Sequence, residues 1–316
     1  MKIVILDSYP LNSGDLSWAP LEAFGDVTIH ERTAPDEVKS RIADADVVFT
    51  NKVKLRAEHF EAAPNLKFIA ECATGFDNIE VGAARERGIV VSNVPSYSAN
   101  FTAQTAIALL LELTHNVGKN AAAVRAGEWV SSPDFAFWRA PLFDLEGKTL
   151  VVVGLGNIGG KVAKIATAMG MNVVAAQLPG RDYGSDSHHL PLEKCLPMAD
   201  VVSLHCPLKP ETRELVNADF LAKMKPSAFL INTGRGALLS ESDVAKALEN
   251  GQIAGFGADV LSVEPPSADN PLLSAPNTFI TAHLGWASPE ARARCLNTAI
   301  ENLRAFVDGK PQNVVS

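Results

Sequence analysis

The sequence predicts an α/β protein made of two doubly wound, mostly parallel sheets, and three observations predict it. Short apolar clusters recur along the chain with helix-like stretches between them. The clusters fall into two series, separated by an Ala- and Leu-rich segment. The 316 residues, at roughly 150 per domain, suggest two domains. Strands alternating with helices are the mark of βαβ units, whose parallel sheets are covered on both faces.

In chain order, the first series is Ile3–Leu6, Val27–Ile29, Val47–Phe49, Leu66–Ile69 and Ile89–Val91. Between them Pro35–Ile42 and Val81–Arg87 read as helices, the second closed by Gly88, a residue suited to a left-handed C-cap. Asn100–Trp129 reads as one or two long helices with more apolar face than a surface helix needs. It is expected either in a core between domains or at a subunit interface. The second series is Thr149–Val153, Asn172–Ala176, Val201–Leu204, Ala228–Ile231, Gly255–Val260 and Thr278–Thr281. Pro179–His189 is the most polar, loop-like stretch. Pro289–Val307 is a helix ended by Gly309 and Pro311, placed to cross back to the first domain.

Composition excludes several function classes. Hydrophobic residues make up 47% and charged residues 20%, the balance of a soluble chain with a sizeable core. A net charge of −8 argues against a nucleic-acid or anionic-membrane surface. No apolar run approaches the ~18–20 residues that span a bilayer. The start, MKIVILD, runs straight into a strand with no signal-peptide pattern, which predicts a cytoplasmic protein. Cys72, Cys195, Cys206 and Cys295 are scattered without a CxxC pair, so neither zinc nor a disulfide framework is expected. His188–His189 has no carboxylate or cysteine at a ligand spacing, so no metal is expected there. No GxSxG occurs, and a hydrolase has no nucleophile to begin from.

The strongest local signal is LVVVGLGNIGGKVAKIATAMG, in which Gly154, Gly156 and Gly159 form GxGxxG. The motif alone is weak, because glycine-rich turns are common. Here it follows the strand Leu150–Val153 and opens a helix with Ile158, Val162, Ile165 and Met169 on one face. That context reads as a Rossmann-like dinucleotide cradle, with the diphosphate at the positive end of the helix. The next strand should end in an acidic residue for the adenosine ribose; Gln177 stands there instead. An amide does not repel a 2′-phosphate, and Arg181 is close enough in sequence to pair with one. Asp182 fills the acidic role only if the loop folds back. The cofactor is therefore NAD or NADP, with the choice open.

Three strand ends carry the other polar signals: LINTGRGALL with Arg235, GADVLSVEPP with Asp259 and Glu264, and FITAHLGWAS with His283. In an open parallel sheet these ends converge on the ligand crevice. Arg235 offers a bidentate fork for a substrate carboxylate. His283 is suited to exchange a proton with a neighbouring carbonyl or hydroxyl oxygen as hydride moves. Glu264, bonded to the other ring nitrogen, would stabilise the imidazolium. Each residue alone reads as an ordinary surface or loop group; their order behind the glycine loop gives them meaning. His205, in SLHCPL, reads as packing or cofactor-adjacent.

With ATGFDN, the glycine loop, LHCPL, INTGRG, ADVLSVEP and AHLGWAS in order, nearly the whole chain resembles the D-isomer-specific 2-hydroxyacid dehydrogenases. The resemblance implies a discontinuous substrate domain, flavodoxin-like, from residues 1–98 plus 288–316, and a dinucleotide-binding domain from 99–287. It makes Arg235 the substrate-binding arginine, His283 the acid/base and Glu264 its partner. It places Asp259 on the nicotinamide carboxamide, Asn157 and Ile158 on the diphosphate, and Cys206 and Thr212 along the adenosine, with Pro207, Thr233 and Gly285 among the cofactor contacts. Thr74 and Gly75 would face substrate and nicotinamide from the substrate domain, and Lys52, just past the strand Val47–Thr50, is a further substrate contact.

Gln104, PDFAFWRAPL and Trp286 resemble the glycerate dehydrogenase (hydroxypyruvate reductase) branch, in which the aromatic arm carrying Trp138 reaches a neighbouring subunit. The expected partners are a small 2-oxo or 2-hydroxy acid anion and a second copy of the chain through the 100–140 arm. The competing readings are a dinucleotide-sensing protein like the related co-repressors, a short phosphoglycerate dehydrogenase, and a formate-dehydrogenase-like hydride abstraction.

Overall fold

The structure, a computed structural model, describes residues 1–184 and 188–316. Part of the polar loop expected at Pro179–His189 therefore lies outside the described residues. The chain divides into two units, Met1–Ser98 with Trp286–Ser316, and Ala99–Gly285. It returns to the first unit at Trp286 rather than at Ser288. The reason is local: Gly285 N donates to Asp259 in the second unit, whereas Trp286 packs on the apolar core of the first.

The first unit holds five parallel strands: β1 (Lys2–Ile5), β2 (Asp26–Ile29), β3 (Val47–Thr50), β4 (Phe68–Glu71) and β5 (Val90–Ser92). Their order is β2-β1-β3-β4-β5. The central strands are apolar on both faces because helices cover both. Ile3, Ile5, Val47, Phe49 and Phe68 meet Ala291, Cys295, Leu296, Ala299, Ile300 and Leu303 of the helix Pro289–Val307. Val4, Val48, Ile69 and Val91 point the other way, onto Val38, Ile42, Phe60 and Ala84. The helix expected at Pro35–Ile42 opens as a 3-10 turn, Pro35–Glu37, before the α-helix Val38–Ile42.

The second unit holds six parallel strands: β6 (Thr149–Val153), β7 (Asn172–Ala176), β8 (Val201–Leu204), β9 (Phe229–Asn232), β10 (Gly255–Ala258) and β11 (Thr278–Ile280). Their order is β7-β6-β8-β9-β10-β11. The segment expected as an interdomain or interface helix is Ala99–His115, and its apolar face serves this sheet. Ala103, Ala106, Ile107, Leu110 and Leu113 pack with Leu150, Val152, Phe229 and Ile231. The helix breaks at Asn116, which adopts a left-handed φ of 50°, and resumes over Val117–Arg125. Beyond it the chain exposes Trp129, Val130, Phe135 and Trp138.

Counted from its own first strand, each sheet runs second, first, third, fourth, fifth. The direction of winding reverses between the first and third strands, β1 and β3 in one unit and β6 and β8 in the other. Such switch points, outside the strand carboxyl ends, are where open α/β sheets hold ligands. No helix among the described residues is long and apolar enough to cross a membrane.

Candidate active site

At the switch point of the second unit, Gly154 takes φ 101° and lies against the backbone just past β8: a Cβ there would stand 2.6 Å from Cys206 N. A Cβ on Gly159 would collide with Gly154 O, so the helix can approach the strand only as glycine. Gly156 is different, because nothing lies within 4 Å of where its side chain would be. It is the N-cap of the helix Asn157–Ala168, which has no side-chain cap and no acidic residue in its first turn. The first backbone N–H groups of this helix thus sit at its positive end, beside Gly156, with no capping side chain and no acidic residue in the first turn. That is the arrangement a diphosphate requires, and these residues fit a dinucleotide.

Around the cradle the loops are held by their own side chains. Gln177, after β7, donates from Nε2 to His189 O at 3.1 Å. Tyr183 OH accepts from Leu178 N, and the Arg181 guanidinium lies 5.0 Å from the Tyr183 ring centre. Asp182 Oδ1 accepts from Gly184 N at 2.9 Å, which commits that carboxylate to its own loop. Past β8, Cys206 is buried and its thiol is pushed up to about 11 by that burial, which leaves it unreactive near neutral pH. Thr212 Oγ1 donates to Pro207 O at 2.8 Å, closing the loop between them. His205 Nε2 lies 2.8 Å from Ser203 Oγ, and burial pushes the imidazole down to about 4, so it is neutral at physiological pH.

The strand ends of β9, β10 and β11 carry the acid–base residues. Asn232, the last residue of β9, is fully buried and locks the turn that presents Arg235. Its Oδ1 accepts from Gly234 N at 3.0 Å and its Nδ2 donates to Arg235 O at 2.9 Å. A side chain on Gly236 would run into the Leu261–Ser262 backbone, so the Arg235 turn packs directly on the loop after β10. Asp259 is buried there and braces the segment after β11. Oδ1 accepts from Thr281 Oγ1 at 2.5 Å and Leu284 N at 2.7 Å, and Oδ2 from Gly285 N at 2.6 Å. Thr102, on the helix Ala99–His115, donates to Gly285 O at 2.8 Å. Thr233 Oγ1 is buried without a partner among the described residues.

This bracing holds His283 in a left-handed conformation, φ 56°, that a non-glycine residue adopts only under constraint. Its Nδ1 lies 2.6 Å from Glu264 Oε2, while Glu264 Oε1 accepts from Leu261 N at 3.0 Å. An ionised carboxylate only accepts, so Nδ1 carries the proton and Nε2 is the nitrogen left to exchange one. Arg235, Asp259, Glu264 and His283 thus stand together on adjacent strand ends of one sheet. Asn232 was absent from the residues the sequence singled out. Its signal was a polar residue closing the apolar run FLIN, just before the glycines of INTGRG.

Lys52, Thr74 and Gly75 belong to the first unit. Thr74 is exposed and its Oγ1 donates to Val94 O at 2.8 Å. Asn93 Nδ2 donates to Thr74 O at 2.7 Å, and Asn302 Nδ2 to Asn93 O at 2.8 Å, which ties the loop to the helix Pro289–Val307. Gly75 is half-buried beside it. Near Lys52 lie two buried carboxyls. Burial pushes Glu71 well above the usual carboxylate range, against the Asn78 hydrogen bond and with the Asp7 charge adding to the rise. Burial also raises Asp7, against four hydrogen bonds that lower it.

Residues 107–285 match the family model described as D-isomer specific 2-hydroxyacid dehydrogenase, NAD binding domain. The chain is 45% identical to a hydroxypyruvate reductase of Blautia hydrogenotrophica, with 100% of both chains covered. It is 40% identical to a glycerate dehydrogenase of Methylorubrum extorquens, covering 89% of this chain and 88% of that one. Among solved structures, an NADPH-dependent glyoxylate/hydroxypyruvate reductase of Sinorhizobium meliloti, in complex with NADP and malonate, superposes with a TM-score of 0.84 at 30% identity, covering 100% of this chain and 96% of that one.

Proposed function

The chain belongs to the D-isomer-specific 2-hydroxyacid dehydrogenases, and on that premise we propose that its substrate pair is hydroxypyruvate and D-glycerate, with glyoxylate as a second 2-oxo acid. It is an NAD(P)-dependent oxidoreductase acting on small hydroxy acids. The substrate assignment is supported by likeness along the full chain to a hydroxypyruvate reductase. The observation that carries the chemistry is the 2.6 Å bond between Glu264 and His283.

A bound nicotinamide dinucleotide supplies the hydride. The rest falls to the protein. Arg235 holds the substrate carboxylate through its planar fork and polarises the adjacent carbonyl. His283 gives its Nε2 proton to the carbonyl oxygen as that oxygen gains charge, and takes it back in the oxidative direction. Glu264 fixes the tautomer and stabilises the imidazolium. We assign Lys52, Thr74 and Gly75 to substrate contact, and Asp259 to the support of the His283 segment as well as to the nicotinamide side.

The exposed aromatics Trp129, Phe135 and Trp138 support burial of the 100–140 arm against a second copy of the chain. Four buried, unpaired cysteines support a reducing, cytoplasmic setting. The test of the chemistry is His283→Ala. Turnover of hydroxypyruvate should fall about 10²–10⁴-fold, the range of general acid–base catalysis, while dinucleotide affinity is kept. Near-normal turnover would mean that the proton comes from elsewhere.

A further inference from the structure

At the switch point of the first unit the gap between β1 and β3 is filled by a carboxylate of the protein itself. Asp7 lies just past β1 and is buried. Its Oδ1 accepts from Thr50 Oγ1 at 3.1 Å and Asn51 N at 2.8 Å. Its Oδ2 accepts from Lys52 N at 2.6 Å and Val53 N at 3.2 Å. Consecutive backbone N–H groups converging on one anion form the concave nest that in other loops cradles a phosphate or carboxylate. A neutral amide offers one acceptor oxygen, so only a carboxylate serves all four donors.

The same segment is pinned again from β4 and from the loop beyond it. Asn51 Nδ2 donates to Cys72 O at 2.6 Å. Asn78 Nδ2 donates to Val53 O at 3.2 Å and to Glu71 Oε2 at 2.9 Å. Lys52 contrasts with the backbone that carries it. Its side chain is exposed, and its charge acts on the buried Glu71 carboxyl against the rise that burial causes. A fixed backbone under an exposed cation is how a protein aims a charge at an anionic ligand without first ordering a loop.

We propose that Asp7 is a positioning residue for the reaction: by fixing the backbone of residues 51–53 it sets how Lys52 meets the carboxylate of the 2-oxo acid. The proposal rests on the substrate contact assigned to Lys52. Asp7 itself touches neither substrate nor cofactor. A purely structural Asp7 would change stability alone, whereas a positioning Asp7 changes KM for the oxo acid through Lys52.

The test compares wild type, Asp7→Asn, Lys52→Met and the double variant, with hydroxypyruvate KM and kcat, dinucleotide Kd by fluorescence and Tm as readouts. Lys52→Met should raise KM about tenfold, the scale of one charge-assisted contact. Asp7→Asn should raise KM by about fivefold or more with dinucleotide Kd unchanged, and the double variant should be no worse than Lys52→Met, as coupled residues behave. If Asp7→Asn fails to fold, Thr50→Val, which removes one of the four donors, carries the test in the same two backgrounds and should raise KM by about twofold. An unchanged KM in the Asp7 and Thr50 variants, full additivity with Lys52→Met, or an equal loss of dinucleotide affinity would overturn the proposal. A KM unmoved by Lys52→Met would instead remove the Lys52 contact on which it rests.

Discussion

At the end of β6 the chain turns at Gly154, whose backbone lies against Cys206, and the helix behind it starts without a side-chain cap. At the matching end of β1 it turns at Asp7, whose carboxylate collects the N–H groups of Asn51, Lys52 and Val53. Both sheets have the same strand order up to the fifth strand, and both reverse their winding at this point. The difference is the source of the anion. One switch point presents a helix end with no capping side chain or acidic residue; the other holds a carboxylate of the protein against backbone N–H groups. Topology nominates a crevice in each sheet, and the residues after the strands make the two different: a glycine turn and a helix start in one, a buried carboxylate in the other.

The comparison breaks most sharply by giving the open site a carboxylate of its own. Gly156 has an extended backbone at φ −93°, and nothing lies within 4 Å of its missing side chain, so Gly156→Asp should fold. Aspartate is a better N-cap than glycine by roughly a few tenths of a kcal/mol, so Tm should hold or rise. Dinucleotide affinity should nevertheless fall by about 10²-fold, since a carboxylate within ~5 Å of a diphosphate costs about 3 kcal/mol at an effective dielectric near 20. Isothermal titration alongside thermal unfolding reads both effects. Unchanged affinity would show that the diphosphate does not sit at this helix end.

A smaller effect sharpens the second unit's other device, the buried amide that aims Arg235. Asn232→Ala removes the bonds to Gly234 N and Arg235 O, costing about 1–3 kcal/mol of stability and lowering kcat/KM for hydroxypyruvate by about tenfold, with dinucleotide Kd little changed. Denaturant unfolding and steady-state kinetics measure the two. The smallest effect concerns cofactor choice. Arg181→Ala should lower kcat/KM for NADPH by about threefold to tenfold, the scale of an exposed charge pair, and leave NADH unaffected. An equal change with both cofactors would take Arg181 out of 2′-phosphate recognition.

Much of this architecture was legible as pattern. Buried parallel strands must be apolar on both faces, so β1, β3, β4, β6, β8 and β9 appear as short apolar runs, and GxGxxG marks the turn between a strand and its helix. Arg235, Glu264 and His283 are legible because their types match a chemistry at strand ends. The braces were not. Asp7, Asn51 and Asn232 act through backbone groups that any sequence possesses, so the residues they hold leave no trace at a fixed spacing. Asp7 follows Leu6 as one more polar residue after a strand; only the register of β1 against β3 brings it to Asn51, Lys52 and Val53. The helix Ala99–His115 shows a similar limit. Its apolar stripe shows that something must cover it, but not that the cover is the second sheet.

The central claim is reduction of a short 2-oxo acid by NADH or NADPH. The most direct measurement is the fall in absorbance at about 340 nm when the purified protein meets each reduced cofactor with hydroxypyruvate, glyoxylate, pyruvate or phosphohydroxypyruvate. Hydroxypyruvate should give the highest kcat/KM and D-glycerate as product, although acids that differ by one methylene are separated by only about 1–3 kcal/mol. No loss of absorbance with any of the four acids, under either cofactor, would contradict the account.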